Sequence, residues 1–311
     1  MNISKKALMS FLMALTSLVA TAQPYYHVMK QDGSNQTEEA IYDSKNYKIR
    51  VDMVPAEEKP KDAIGGKITI VRYDCDKSCL KRSFYFTKHG NVIYDNTEKK
   101  FYFESGQMDR IGWYGVYIDK MFGPISNDIY QHFKWGKTID QCIGTRNISA
   151  SVSSEEDFYF TNPKNLPKLQ EDLGNERWGV LSACEWEYVI EALSEGICVC
   201  TSDACCRCLV IDSTPAKSLI KDLQKKAHNY PFITWEEYYE YARKGLVFLP
   251  ASGSRGTKGK IDNSGEAGRY WSCTPVDSNK SWCMGFGLSY KTVYESNNGA
   301  GYCVRLVILA D

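Results

Sequence analysis

Five cysteines fall within eleven residues of the stretch ICVCTSDACCRC, at positions 198, 200, 205, 206 and 208. Thiols at this density could do three kinds of chemistry. As thiolates they could hold a tetrahedral metal. As the C-x-x-C pair Cys205 and Cys208 they could shuttle electrons. As oxidised pairs they could staple the chain. Spacing counts against the metal: strand residues two apart lie ~6.5 Å apart, too far for both thiolates of a C-x-C unless the strand bends. The dithiol motif lacks the βαβ pattern that surrounds redox pairs of this kind. The choice among the three depends on the compartment and the surrounding elements.

Other reactive residue types are scattered. His27, His89, His132 and His228 include no pair four apart, so no helix carries two imidazoles on one face. No G-x-S-x-G turn exists to raise a nucleophilic serine. GSRGTKGK at 253–260 resembles a phosphate loop, but its spacing is off by one and Ile261 stands where a hydroxyl should bind magnesium. It reads as a glycine-rich surface loop whose Arg255 and Lys258 can contact an acidic ligand. Arg305 lies in an apolar strand and reads as a partly buried, paired arginine. Nothing in these patterns implies a cofactor or a resident metal. Lys+Arg and Asp+Glu are equal at 38 each, so net charge gives no hint of nucleic acid or an anionic surface, and no nucleic acid partner is expected.

The compartment is legible at the start. Lys5 and Lys6 precede an apolar run from Ala7 to Ala20, and Ala20-Thr21-Ala22 is a small-x-small cleavage site. Residues 1–22 read as a secretory signal peptide. A spanning helix needs ~20 apolar residues, and no later segment supplies them, so no transmembrane segment is expected. The mature protein is expected to be secreted, on the cell surface or in the periplasm. All 12 cysteines lie beyond residue 22, where disulfides are the default.

Residues 23–80 read as a β-rich N-terminal region. Tyr47, Ile49, Val51 and Met53 alternate with polar residues. VPAEEKPKDAIGG is a long turn, and Cys75 and Cys79 in DCDKSC read as a loop bridge. SFYFTKHGNVIYDNTEKKFYF reads as an aromatic hairpin, and Trp113 and Trp135 pack the glycine-punctuated loops after it. Three helices follow. Ser182 and Glu185 form a capping box ahead of Trp186, Val189, Ile190 and Leu193, with Gly196 placed to end the helix. Thr234 and Glu237 repeat the box, Ile233 and Tyr238 form a hydrophobic staple, and Gly245 closes the second helix. Thr214 and Pro215 begin the third, TPAKSLIKDLQKKAHN. The chain then returns to strands in LVFLP, RYWSCTP, SWCMGFGL and GYCVRLVIL. In the last, Tyr302, Val304, Leu306 and Ile308 share one face, with Cys303 and Arg305 on the other. Strands, helices, then strands make an α+β fold.

RWGVLSACEWEYVIEAL, ITWEEYYEYARKGLVFLPASGSRG, GRYWSCTPVDSNKSWCMGFGL and GYCVRLVIL resemble the successive motifs of the Fibrobacter succinogenes major paralogous domain family, with FESGQMDRIGW and FKWGKT as weaker landmarks upstream. The resemblance implies a C-type-lectin-like domain over 81–311, related to the formylglycine-generating-enzyme fold: a mixed antiparallel sheet with two to three helices. Such domains are exported binding modules. On this reading the protein is a non-enzymatic adhesion module whose partner is a glycan or a surface protein. Its contact residues would be Tyr270, Tyr290, Tyr294, Asn297 and Asn298, with Arg255. A thiol oxidase on the same fold, or a disulfide-stabilised surface protein with no small ligand, are the alternatives. The related oxidases use a reactive cysteine pair four residues apart, and Cys273 and Cys283 stand farther apart than that. The calcium-binding triplets Glu-Pro-Asn and Gln-Pro-Asp of sugar-binding relatives are missing. The family also implies a hairpin at 197–208. A turn centred on Asp203 would set Cys200 opposite Cys206 and Cys198 opposite Cys208, leaving Cys205 to seek Cys184 or Cys142.

Overall fold

A computed structural model of the chain describes residues 25–29, 39–73, 81–104, 106–108, 129–144, 154–200, 205–214, 218–225, 232–256 and 261–310. The expected signal peptide, the Cys75–Cys79 bridge, Trp113 and Lys258 lie outside the described residues.

Alternation builds the largest sheet. β1 (Tyr25–Met29), β2 (Glu39–Asp43), β3 (Tyr47–Asp52), β4 (Ala63–Arg72) and β5 (Lys81–Thr87) form a meander. The C-terminal strand β19 (Val307–Ala310) and the short β9 (Trp178–Gly179) complete it, in the order β1-β2-β3-β4-β5-β19-β9. Ile49 faces Ile70 and Val51 faces Ile68 across β3 and β4. Ile68 in turn faces Phe84 on β5. These cross-strand apolar pairs are what hold such a sheet in register. The boundary expected at residue 80 falls inside this sheet: β4 and β5 pair across it, and Tyr42, Tyr47 and Ile49 share one core with Phe84 and Trp186.

The two capping boxes form as expected. Ser182 accepts from the Glu185 amide and Glu185 returns the bond to Ser182, starting the Ala183–Leu193 helix. Thr234 and Glu237 do the same for the Trp235–Lys244 helix. Gly245 ends that helix at φ 112°, a left-handed conformation open to glycine. The first of these helices stops earlier than Gly196. The Ser194 hydroxyl donates back to the Ile190 carbonyl at 2.5 Å, and the chain passes at once into β10 (Ser194–Cys200). The third helix runs over Ser218–Lys225. The amide of its third residue, Ile220, is held by the buried Asp212 carboxylate at 3.0 Å, which also binds the Thr214 amide and hydroxyl.

β10 and β11 (Cys205–Asp212) form a hairpin in a four-stranded sheet with β12 (Phe232–Thr234) and β13 (Leu246–Pro250), in the order β12-β10-β11-β13. A three-stranded sheet joins β6 (Val92–Asp95), β7 (Lys100–Phe103) and β8 (Ile129–Tyr130). β14 (Ser254–Arg255) pairs with β15 (Ile261–Asp262). A second three-stranded sheet comprises β16 (Gly268–Pro275), β17 (Lys280–Phe286) and β18 (Lys291–Asn297). The architecture is α+β, strand-rich, with antiparallel sheets and five helices among the described residues.

Two apolar cores meet along the C-terminal segment. Tyr302, Val304, Leu306 and Ile308 enter a core with Trp135, Phe158 and Trp271. Cys303 and Val307 enter the other, with Trp186, Phe248 and Tyr270. The expected parity of this segment therefore has a purpose: one extended stretch serves both cores. Arg305 sits between them, fully buried, donating to the Thr87 carbonyl at 3.2 Å and to Gln107 Oε1 at 3.3 Å.

Candidate functional site: the C-terminal sheet and the arginine at its margin

The β16–β18 sheet sorts its side chains by register. Tyr270, Met284 and Val293 lie in line across the three strands and pack into one core. Trp271, Cys283 and Tyr294 lie in line on the opposite face and pack into the other. The stretch SYKTVYESNNGAG is largely β18: Thr292, Val293 and Tyr294 suit a pleated, half-buried strand. Lys291 ties this strand to the Ala183–Leu193 helix end, its Nζ donating to the Ser194 carbonyl at 2.8 Å.

This sorting redistributes the expected contact residues. Tyr270 is fully buried, its hydroxyl donating to the Pro250 carbonyl at 2.8 Å, so it is a core residue and not a contact residue. Asn298 is 1% exposed and is likewise removed from any contact surface. Tyr294 is half-buried over Gly285, where an added Cβ would come within 2.6 Å of its ring. Asn297 is exposed but holds the following turn, accepting from the Gly299 amide at 2.7 Å. Tyr290 is 44% exposed and Leu288 61%, both at the turn into β18. β18 is an edge strand, and Lys291, Thr292, Glu295 and Asn297 are exposed along it.

Arg255 lies at the margin of this region. Its backbone exchanges two 2.9 Å hydrogen bonds with Gly301, and its guanidinium lies 4.8 Å from the centre of the Tyr130 ring. An added Cβ on Gly301 would sit 3.0 Å from Arg255 and 3.3 Å from His132, so glycine permits the close approach. Arg255 makes one side-chain hydrogen bond, to the Ile143 carbonyl at 3.4 Å, and has no carboxylate partner among the described residues. Burial lowers its pKa. His132, fully inside, donates or accepts through Nε2 at the Ser252 carbonyl at 3.0 Å. Burial and then the Arg255 charge push its pKa down to about 4, the Ser252 bond opposing them. Lys134 is shifted down for the same two reasons. Three basic side chains thus converge on one partly dry spot. His132 and Lys134 were not singled out from sequence. Their signal is the alternation in HFK, which places both on the face opposite Phe133.

A cleft of about 350 Å³ lined by Lys81, Arg82, Ser83, Arg177, Leu309 and Ala310 is also basic. There Arg82 is already matched, at 2.7 Å, by Glu185.

The cysteine hairpin takes a register one residue away from the expected one. Cys200 faces and is bonded to Cys205, with Cα atoms 4.1 Å apart, and not to Cys206. Cys198 faces Arg207, and Cys208 faces Ile197. A one-residue slip exchanges the faces of a strand. The expected register would turn Arg207 into the core. The observed one buries Ile197, Val199, Cys206 and Cys208 together. Cys198, Cys206 and Cys142 lie outside this disulfide. Closing so short a loop is worth about 2 kcal/mol in the chain-entropy picture. Cys200→Ser with Cys205→Ser should therefore cost about that much in urea unfolding. Non-reducing peptide mapping should recover a Cys200–Cys205 link; a Cys200–Cys206 link would overturn the register.

Other thiols are poor nucleophiles. Burial raises Cys142 and Cys283 to about 12. Cys273 is raised well above the ordinary thiol range, by burial and then by the Glu155 carboxylate.

A family model described as a domain of unknown function (DUF8237) matches residues 198–307, which run from the cysteine hairpin through Arg255 to the start of β19. No curated protein and no solved structure matches the chain.

Proposed function

We propose that this is an exported, non-enzymatic binding module of C-type-lectin-like fold, acting as a secreted or surface adhesion domain. Its contact surface would be β18 with the turn that precedes it. The observation that carries the reading is the exposure of Leu288 and Tyr290 beside an edge strand, in a domain that buries most of its other large aromatics. A rigid aromatic ring beside amide and hydroxyl groups is the composition that recognition loops use. An edge strand also offers backbone donors and acceptors to an extended partner. The high thiol pKa of Cys273 and Cys283 weighs against the thiol-oxidase alternative, because the thiolate is the reactive form.

Screening the folded mature protein against immobilised glycans and surface proteins tests this. Tyr290→Ala should weaken a captured ligand by about tenfold, the ordinary effect of removing an aromatic anchor. Failure to capture any ligand, or indifference of every captured ligand to Tyr290→Ala and Leu288→Ala, would sink the reading.

A further inference from the structure

We propose that Arg255, flanked by His132 and Lys134, is the binding point for the carboxylate or sulfate group of an acidic glycan. The proposal rests on the reading of the chain as a ligand-binding module, and assigns its ligand a chemical class.

The deciding feature is the guanidinium of Arg255. A half-buried arginine is ordinarily matched by a carboxylate, because desolvation disfavours an isolated charge. Here one N–H meets the Ile143 carbonyl and the Tyr130 ring covers the guanidinium plane. The rest of the fork has no acceptor among the described residues. Fork geometry suits a bidentate oxyanion. The two neighbours reinforce this: His132 and Lys134 lie close enough for the Arg255 charge to disfavour their protonated forms. An anion on Arg255 would reverse that disfavour. The site is also built rather than incidental. Arg255 is fixed by its ladder to Gly301 and by its pairing with Ile261 across β14 and β15. Arg82 in the 350 Å³ cleft lacks this character, since Glu185 neutralises it.

A saccharide fits better than a protein. Protein interfaces anchor on clusters of aromatic and apolar side chains. Beside Arg255 the exposed large apolar residue is Ile261, its cross-strand neighbour. An acidic sugar needs only an oxyanion contact and a few polar groups.

The test measures binding of the full mature protein to dextran sulfate, polygalacturonate, neutral dextran and poly-glutamate at fixed salt. Dextran sulfate or polygalacturonate should bind, neutral dextran should not, and poly-glutamate should bind at least about tenfold more weakly. Arg255→Met should lower binding about tenfold or more, Arg255→Lys should lose less, and Lys81→Met in the cleft should leave it unchanged. Equal binding by Arg255→Met, or no binding to either acidic polysaccharide, overturns the proposal. Capture of poly-glutamate at equal strength overturns the assignment to glycans. Should Arg255→Met fail to fold, the His132 ring resonance of the wild type decides: dextran sulfate should raise its titration midpoint, and an unmoved midpoint rejects the site. A neutral glycan whose binding depends on Tyr290 would leave the module reading standing while rejecting this one.

Discussion

Gln107→Leu should destabilise the protein by about 3–5 kcal/mol, among the largest effects available to a single side chain of its size. Gln107 is buried and spends its whole amide on three partners. Its Nε2 donates to the Leu246 carbonyl at 2.9 Å, and its Oε1 accepts from the Phe248 amide at 2.7 Å and from Arg305 at 3.3 Å. Its backbone amide donates to the Tyr238 hydroxyl at 3.0 Å. One residue thus joins β13, the C-terminal segment and the Trp235–Lys244 helix. Leucine matches the volume but leaves a buried carbonyl and a buried amide unsatisfied, at about 1–3 kcal/mol each. It also takes an acceptor from Arg305, whose charge cannot be discarded. Gln107→Glu keeps the acceptor and loses only the donor, so it should lose less. Urea unfolding at constant m-value measures both. A loss under about 1 kcal/mol for Gln107→Leu would mean that the junction relaxes and that the amide does not hold it.

Gln107 marks the limit of what local pattern can say. The capping boxes at Ser182 and Thr234 were legible because each depends on residues three apart and nothing else. The parity of Tyr302 to Ile308 was legible because an extended segment between two cores must alternate. Gln107, in QMDRIGW, looks like an irregular polar loop. Its partners lie more than 130 residues away, at Tyr238, Leu246 and Phe248, and no spacing within the loop announces them. The cysteine hairpin failed for a related reason. Both registers set cysteines face to face, and the choice falls to the burial of Ile197 and Val199 and to keeping Arg207 out of the core. Those are properties of the neighbouring β12 and β13, which flank the hairpin, and not of the hairpin itself.

The contact region shows the same division. Arg255, Tyr290 and Asn297 could be picked out as polar or aromatic residues in glycine-rich surroundings. Tyr270 and Asn298 carry the same composition signal, yet the register with Met284 and the turn after Asn297 bury them. What distinguishes Arg255 is a missing partner, which composition never reveals: the chain has as many acidic as basic residues, and none of the described carboxylates reaches this guanidinium.

Acidification should destabilise the protein through His132, by about 2 kcal/mol near pH 5 and about 3 kcal/mol near pH 4. In the unfolded chain a histidine titrates near 6.5. In the folded protein burial, then the Arg255 charge, lower His132 to about 4. The folded state therefore binds this proton less tightly than the unfolded state. Above about pH 6.5 neither state binds it and stability is unaffected; as pH falls from there toward 4, only the unfolded chain takes it up, and stability is lost. His89 is also shifted down, chiefly by burial, and Asp62 beside it is held below the usual carboxylate range by Lys88 and His89 against its own burial, so the whole protein loses more than His132 alone supplies. The comparison with His132→Gln isolates the share. Glutamine retains an N–H able to meet the Ser252 carbonyl but cannot titrate, so its urea midpoint should fall less steeply between pH 7 and pH 4.5. Arg255→Met should show an intermediate slope, because it removes the charge and keeps the burial. Parallel slopes for all three proteins would show that His132 is solvated in solution, and that the dry, cation-rich spot built around Arg255 is open to water.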